Sequence, residues 1–587
     1  MQNNKWFSPY DSIRRIGSVI NVSSGEVIIN LTRAGLGEPQ WSFGYRIAAG
    51  EVNEYIFIDV GEKAILGKLI KVWIENGERL SVDGISDEIA KNHPIGIVQL
   101  LTSLDSTSGK IFRGIQQYPR LGNQVYSAHP LLVAKLIEGK SANDKNNLFL
   151  PLAELPFDNS ITIHMTPEQL FSRHCAILGT TGGGKSYSIA NLIEQVTKAG
   201  GKALIIDPTG EYSSLPSETY YVGSNPQAGD ANSAVYPHSL FTDSDIRTLL
   251  RPSAQTQSPK LEEAIQSQKI VTHYISKEDY GGLTIINSKI LCKANQVKEP
   301  YEKASLYVNS LTEITNWSFS NLADQIVHEC VYSFGGTGSS PETFKWGRRS
   351  DVDVGYCMSL ISRVKAYSNN PHLKWMIDPD PKYKTIPSIL EELCSITSKS
   401  QIVRLDLSAV PFEANAREIL VNAIGRKLLS LARDRNISYK KPLLVFIDEA
   451  HQFLNKTLGD EFNRYNLDAF GNIAKEGRKY GLNVVIATQR PRDIPEDVLS
   501  QIGTLLVHRL TNEMDQNIVK KAIGSIDHRS ASFLPTLRQG EALLLGVDFP
   551  FPITIKMKKP TYCPSSKSAE FSNSWSKVER VDELVEE

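Results

Sequence analysis

Short stretches in which apolar and polar residues alternate fill the first 130 residues of the chain, and Gly, Asn and Asp residues separate them. The stretches with the clearest period of two, which predicts strands, are residues 17–22, 26–31, 55–60 and 64–70. Short strands divided by turn residues are typical of small barrels. We therefore predict an antiparallel β-barrel over residues 1–140, with an open sheet as the alternative.

Farther along the chain the pattern changes to short, almost wholly apolar runs, which alternate with segments whose apolar residues recur with the period of a helix. The runs are residues 175–178, 203–207, 402–407, 443–447, 483–488, 504–508 and 541–545, and the clearest helices are 187–197 and 414–433. Strands that are apolar throughout are buried on both faces, as in a parallel sheet covered by helices. The pattern predicts an α/β domain built on a buried parallel sheet.

The changes in sequence pattern also indicate the domain boundaries. Residues 141–160, rich in Asn, Asp and Ser and containing two prolines, suggest a linker. The strand pattern is lost over 213–399, which predicts a mainly helical insertion between two parts of the core, 161–212 and 400–560. Residues 561–587 are Ser-rich and then acidic, as expected of a mobile or partner-bound tail.

Composition excludes several classes of protein. Lys and Arg number 64 against 65 for Asp and Glu, so no overall cationic field gathers nucleic acid and any such contact is local. The six cysteines are scattered without C-x-x-C pairs, which argues against a disulfide framework or a zinc site. Nowhere do 18 apolar residues follow one another, and no signal-peptide pattern opens the chain. We expect a cytoplasmic protein that makes no contact with a membrane.

The strongest chemical signal is the sequence GTTGGGKS at residues 179–186, a full phosphate-binding loop directly after an apolar run. Glycine-rich backbone amides wrap phosphates, Lys185 reaches the β/γ oxygens, and the Ser186 hydroxyl ligates Mg²⁺. The following helix directs its positive end at the anion. The residues predicted to contact ATP are Gly179, Thr180, Thr181, Gly182, Gly183, Gly184, Lys185, Ser186 and Tyr187.

Two adjacent carboxylates, at the end of another apolar run, can supply the metal ligand and the general base that a phosphate-binding loop requires. We assign Asp448 to Mg²⁺ and Glu449 to the general base that aligns the attacking water. Taken alone, an Asp-Glu pair after a strand is more often a solvated turn, but the phosphate-binding loop in the same chain reverses that preference. Glu211 is the alternative base, although the surrounding DPTG text is equally a type I turn.

Two further residues are candidates for contact with the γ-phosphate. Gln489 closes an apolar run, and its amide can sense the phosphate or the water if its strand neighbours the one that ends at Asp448; otherwise it is a hydrogen-bonded strand end. We favour Arg478 as an arginine finger or sensor, because phosphoryl transfer gains from a fixed cation on the γ-phosphate. The alternative is a cation that caps a helix through its dipole.

Five motifs in series resemble those of the HerA family of hexameric DNA translocases, which are related to the FtsK motors. They are GTTGGGKS (179–186), IIDPTGEY (205–212), VFIDEAH (445–451), EGRKYGL (476–482) and ATQRP (487–491). The resemblance implies a RecA-like P-loop ATPase core, with an N-terminal barrel like the family's HAS barrel and a helical insertion. Thr209 stands where the family often has His, and the insertion is long.

By this resemblance, Lys185, Ser186, Asp448, Glu449 and Gln489 would bind and hydrolyse ATP at subunit boundaries. Arg478 would come from the adjoining subunit of a homohexamer that threads duplex DNA. Members of the family work with a separate nuclease or, in bacterial anti-phage defence, with a sirtuin-like or nuclease effector. No signature of either effector occurs in this chain, so we expect it from another gene.

Three functions follow as hypotheses. The first is an ATP-driven DNA translocase or helicase. The second is an ATP-gated ring scaffold that assembles and activates a defence effector, which the near-neutral charge and the long insertion favour. The third, a protein remodeller of the AAA type, is weaker because the motifs resemble the DNA-pumping branch more closely.

Overall fold

A computed structural model describes residues 8–32, 40–42, 44–74, 94–106, 108–139, 148–223, 230–278, 280–311, 316–337, 340–395, 401–454, 456–459, 464–522 and 533–565. The acidic end of the tail, 566–587, lies outside them. So do most of the polar residues of the predicted linker, 141–147.

The N-terminal part is a closed antiparallel barrel, as the alternating pattern predicts. Its elements are β1 (Arg15–Val22), β2 (Glu26–Asn30), β3 (Gln40–Ser42), β4 (Tyr45–Ile47), β5 (Tyr55–Asp59), β6 (Lys63–Trp73), β7 (Ile95–Asp105), β8 (Ile111–Arg113), β9 (Gln124–Ser127) and α1 (Pro130–Glu138). The strand order is β2-β1-β9-β5-β6-β7, and pairing of β2 with β7 closes it. Inward-facing Val and Ile side chains fill the interior.

A hairpin and the first strand–helix–strand unit of the core follow. They comprise β10 (Leu150–Leu155), β11 (Asp158–Met165), α2 (Pro167–Phe171), β12 (Cys175–Leu178), α3 (Lys185–Lys198) and β13 (Lys202–Asp207). The hairpin of β10 and β11 overlaps the predicted linker, 141–160. That prediction missed two strands, because a proline inside β10 and the polar turn after it resemble linker text.

The region between residues 213 and 399 is helical but also contains strands. Its elements are β14 (Glu218–Val222), β15 (Ser233–Val235), α4 (Asp243–Leu250), α5 (Gln257–Ser276), β16 (Ile285–Ile286), β17 (Ile290–Leu291), α6 (Lys298–Ser310), α7 (Leu322–Glu329), β18 (Gly335–Thr337), β19 (Ser340–Glu342), α8 (Asp351–Ser368), β20 (Lys384–Thr385) and α9 (Ile386–Cys394). Here β14, β15 and β20 extend the main sheet, so this region is not an insertion throughout.

The second part of the core brings the chain back into the sheet. It contains β21 (Ile402–Asp406), α10 (Ala416–Arg433), β22 (Leu443–Ile447), β23 (Lys456–Gly459), β24 (Arg464–Leu467), α11 (Ala469–Glu476), β25 (Leu482–Thr488), α12 (Glu496–Leu499), β26 (Thr504–Val507), α13 (Glu513–Ala522), β27 (Glu541–Gly546) and β28 (Ile553–Met557). Each predicted apolar run forms a strand.

Within the described residues, the core sheet has 13 strands in the order β11-β10-β28-β27-β26-β12-β25-β22-β13-β21-β14-β15-β20. Every neighbouring pair from β26 to β20 is parallel. The pairs from β26 to β11 are antiparallel, which corrects the prediction of a parallel sheet for residues 541–545. An apolar run is buried in either direction, so its composition does not reveal its direction.

Helices cover both faces of this sheet. One face packs against α10, through residues such as Ile419 and Leu420, and against the helices of the insertion. The other packs against α3 and continues through α1 into the barrel strands β5 and β6. None of the helices in the described part of the chain combines the length and the apolar composition that crossing a lipid bilayer requires.

Candidate nucleotide-binding site

The phosphate-binding loop lies at the carboxyl end of β12, near the middle of the sheet. Backbone hydrogen bonds tie it to three neighbours: Gly179 N–H donates to Thr488 O, Thr180 N–H to Arg509 O, and Gly540 N–H to Gly183 O. The loop is therefore held by the segments that follow β25 and β26 and by the one that precedes β27. Such anchoring holds the amides in place before an anion binds.

Glycine is required by geometry at two positions of the loop. Gly184 has φ +112°, a conformation that side chains disfavour, and an added Cβ would lie 3.1 Å from Gly540 Cα. A Cβ on Gly179 would lie 2.6 Å from the Cβ of His508. The helix α3 starts at Lys185, and its first amides have no acceptor within the helix. The loop is shaped to receive an anion at the positive end of α3.

A buried histidine, His508, packs against the phosphate-binding loop. The His508 ring lies 2.9 Å from Ser188 Oγ through Nε2 and 2.8 Å from Glu541 O through Nδ1. Burial lowers the pKa of His508 to about 4, so the ring is neutral at pH 7. His508 thus connects the first turn of α3 to β27. No motif includes His508, although a polar residue at the end of an apolar run is a signal in the sequence.

The two adjacent carboxylates lie beside the loop lysine. Lys185 is 7% exposed, and its Nζ lies 3.8 Å from Glu449 Oε1. Asp448 is buried, accepts a hydrogen bond from the Tyr212 hydroxyl at 3.0 Å, and has its pKa raised to about 7 by burial. Glu449 has φ +46°, an uncommon value for a residue other than glycine, of the kind that clusters at functional sites. The structure therefore brings Lys185, Asp448 and Glu449 together as the motifs predict.

Gln489 contacts the phosphate-binding loop from the end of a neighbouring strand. Its strand β25 pairs with β12 on one side and with β22 on the other, so the condition set for Gln489 in the sequence analysis is met. Gln489 Oε1 accepts a hydrogen bond of 2.6 Å from Thr181 Oγ1 in the loop. Beside it, His451 Nδ1 lies 3.2 Å from Glu449 Oε2 and 3.1 Å from Thr488 Oγ1. His451, which the sequence analysis left without a role, fixes the orientation of Glu449.

Arg478 lies at the opposite end of the sheet. It is exposed and precedes β25, whereas Gln489 follows that strand, and seven residues of strand separate the two ends by about 20 Å. Arg478 and Lys479 line a cavity of about 960 Å³ at the amino ends of the parallel strands, together with Arg173, Lys202 and Lys475. Within one chain, Arg478 is therefore remote from the phosphate-binding loop.

The DPTG segment forms a turn around a buried carboxylate. Asp207 accepts hydrogen bonds from the amides of Thr209, Gly210 and Tyr212, and it lies 2.8 Å from Arg404. Glu211 follows this turn, and its carbonyl accepts a hydrogen bond from Ser565 N–H. Among the described contacts, the lysine of the loop pairs with Glu449 and not with Glu211. The geometry favours Glu449 over Glu211 as the base.

Arg404 forms a buried ion-pair cluster with the carboxylates at this end of the site. It is 1% exposed and pairs with Asp207 at 2.8 Å and with Asp406 at 3.1 Å. We expect Arg404→Ala to lower the free energy of unfolding by about 3–5 kcal/mol, because two buried carboxylates lose their cation. Equilibrium urea unfolding measures the change.

The matched control is Arg433→Ala, which removes an exposed pair with Glu476 and is expected to cost at most about 1 kcal/mol. Equal effects of the two substitutions would contradict a structural role for the buried charge cluster.

The residues present fit a magnesium–nucleotide complex. Backbone amides and Lys185 face the place of an anion, and the Ser186 hydroxyl and the Asp448 carboxylate offer the oxygen ligands that Mg²⁺ prefers. Burial disfavours the charged form of Asp448, and a cation beside it would stabilise that form. Glu449 Oε2 is buried, and its near neighbour among the described residues is His451 Nδ1 at 3.2 Å.

Comparisons with known proteins give a consistent result. A family model described as the central domain of helicase HerA matches residues 150–428, and a HerA-like C-terminal model matches residues 436–557. A probable helicase of Methanocaldococcus jannaschii is 25% identical over 81% of both chains. A DNA double-strand break repair helicase HerA of Saccharolobus solfataricus is 24% identical over 71% of this chain and 70% of its own. Among solved structures, VirB4 of Thermoanaerobacter pseudethanolicus is 14% identical with a TM-score of 0.45, over 72% of this chain and 98% of its own.

Proposed function

This chain belongs to the HerA family of helicases, and from that premise we propose that it acts as a hexameric ring that uses ATP to move duplex DNA. As a P-loop ATPase of this family it hydrolyses ATP as a helicase or translocase. The observation that carries the proposal is the buried contact of 3.8 Å between Lys185 and Glu449 beside a pre-formed phosphate-binding loop. The description of the Saccharolobus relative as a DNA repair helicase supports DNA as the substrate.

Each residue of the site has a role in this proposal. The loop amides and Lys185 hold the phosphates of ATP, and Glu449 takes the proton of the attacking water. Gln489, held by Thr181, orients that water or contacts the γ-phosphate. Bound by Ser186 and Asp448, Mg²⁺ would neutralise charge on the phosphate oxygens.

Ring assembly gives Arg478 its place in the proposal. Because Arg478 lies about 20 Å from the loop of its own chain, at the other end of a strand of seven residues, it can reach a γ-phosphate only in a neighbouring subunit. An arginine supplied in this way raises the rate of phosphoryl transfer by about 10³–10⁵ in well-studied NTPases. The site would then be complete only between two subunits, as in the homohexamer that we propose.

We expect duplex DNA to stimulate ATP hydrolysis, and the stimulation to fall steeply as salt rises, because contacts with phosphates release counterions. Phosphate release, measured with and without duplex over a salt series, tests this. Because the net charge of the chain is −1, contact with DNA depends on local cations. We therefore expect salt to lower the DNA-stimulated rate and to leave the rate without DNA unchanged. Turnover that duplex leaves unchanged at low salt would contradict the proposal.

A second candidate function is an ATP-gated scaffold that assembles and activates a sirtuin-like or nuclease effector encoded by another gene. The near-neutral net charge and the long helical region between β15 and β20 favour it. Glu449→Gln separates the two functions, because it should bind ATP without hydrolysing it. If this variant still activates the co-expressed effector, the scaffold is favoured, and loss of activation favours the motor.

A further inference from the structure

Three exposed aromatic rings lie on residues next to a short hairpin of the helical region, far along the chain from the nucleotide site. The rings belong to Tyr332, Phe334 and Phe344, which are 45%, 54% and 57% exposed. They flank the small hairpin of β18 and β19. Together with Lys298 and Arg348 we call them the aromatic platform.

A cation lies over each ring of the platform. Lys298 Nζ is 5.0 Å from the centroid of Phe334, and the guanidinium carbon of Arg348 is 6.0 Å from that of Tyr332. Lys345 Nζ is 5.3 Å from the centroid of Phe344. Each of these exposed rings therefore has a positive charge beside it.

Two of these cations are not committed to carboxylates. Among the described residues, Lys298 and Arg348 form no ion pair, whereas the carboxylates next along the chain each face another cation. Those pairs are Glu299 with Lys303, Glu342 with Lys345, and Asp351 with Arg349. Lys298 and Arg348 therefore remain available to an external anion.

The platform rests on a buried polar network that holds it rigid. Lys293 is 3% exposed, pairs with the fully buried Glu329, and lies 4.1 Å from the ring centroid of Tyr301 and 5.2 Å from that of Trp346. Trp346 belongs to the segment that carries the platform, and its N–H donates to Gln296 O. The segment that carries the platform is therefore anchored before a ligand binds, which reduces the conformational entropy lost on binding.

We propose that the aromatic platform binds single-stranded DNA. Exposed rings that alternate with cations are the chemistry of surfaces that stack bases and hold the phosphate backbone. Tyr332 and Phe334 are two residues apart, so their Cα atoms are separated by at most about 7 Å and can take neighbouring bases of one strand. Stacking needs open base faces, which a duplex hides, so the platform prefers a single strand. This site lies outside the motor and binds without ATP.

The test uses the full chain with Lys185→Ala, without nucleotide, and a fluorescently labelled oligothymidylate. Fluorescence anisotropy should show that Tyr332→Ala/Phe334→Ala/Phe344→Ala raises the Kd at least about tenfold, because each stacked base loses its ring. Binding of a duplex of equal length should change less than about threefold. Lys298→Gln/Arg348→Gln should make the slope of log K against log salt shallower by about 1.4, since each cation contributes about 0.7 on a single strand.

Tyr356→Ala is the matched control, because this ring is 62% exposed on α8 and no cation among the described residues lies over it. The proposal fails if the triple variant keeps its affinity within twofold, if the control loses as much, or if duplex binding falls equally. Unchanged oligonucleotide binding with loss of a co-purifying protein would instead identify a protein-docking surface.

A different experiment tests the proposed motor function. That experiment measures duplex-stimulated phosphate release by the chain with an intact Lys185, so the two proposals can fail independently. The triple substitution in that chain should leave basal ATP hydrolysis unchanged, which also confirms that the variant folds.

Discussion

We expect Lys185→Ala to lower the rate of ATP hydrolysis at least about 100-fold, because it removes the buried cation that, in our proposal, contacts the phosphate oxygens in the transition state. Steady-state phosphate release with saturating ATP measures the loss. The substitution also leaves Glu449 without its partner at 3.8 Å, so weaker nucleotide binding should accompany the loss of turnover.

Lys198→Ala is the control for this substitution. Lys198 lies at the other end of the same helix, where it is 61% exposed and pairs with Glu194. Its removal should leave hydrolysis within about twofold of the unmodified protein, because its exposed ammonium group lies at the end of α3 remote from the phosphate-binding loop. A similar loss in both variants would mean that the helix, and not the cation at its start, governs the rate.

We expect Glu449→Gln to lower turnover by about 10²–10⁴ while ATP still binds, because the amide keeps the shape of the side chain but cannot accept a proton. Rapid quench of a single turnover separates binding from chemistry, and a fluorescent ATP analogue reports affinity. The αL conformation of Glu449 and its contacts with Lys185 and His451 should persist in the variant.

The comparison variant is Glu211→Gln, which removes the alternative base. Its turnover should stay within about threefold, since the carboxylate that the structure places beside Lys185 is Glu449. The assignment is wrong if Glu211→Gln stops turnover and Glu449→Gln does not.

Most of the strands of the core follow from the sequence because a strand buried on both faces must be apolar throughout. The runs at β12 and β22 contain no polar residue, β25 has polar residues only near its ends at Asn483 and Thr488, and the structure leaves all three strands buried. The closed barrel was predictable for the complementary reason, since one buried face requires alternation.

The missed strands are short or carry linker-like residues. β15 has three residues and β20 has two, which is too few for a period to show. The hairpin of β10 and β11 contains proline, and its pairing with β28 joins residues about 400 positions apart. Whether a strand runs parallel or antiparallel to its neighbours is set by such long-range pairings. The antiparallel direction of β27 could therefore not be predicted from its sequence either.

Within the site, the motifs identify the groups that we propose contact the nucleotide, but not the residues that hold those groups in place. Lys185, Asp448 and Glu449 carry recognisable spacing, whereas Arg404 and His508 act through partners distant in the sequence. A buried Arg in an apolar strand is unusual, and Arg404 in β21 was in retrospect a signal of buried carboxylates nearby.

The most direct measurement of the central claim is displacement of a third strand from a DNA triplex by the purified protein. If the ring moves along duplex DNA, displacement needs ATP and Mg²⁺ and is absent with Lys185→Ala, Glu449→Gln or Arg478→Ala. Continued ATP hydrolysis without displacement, in the presence of the natural partner, would contradict the claim and leave the scaffold as the better explanation.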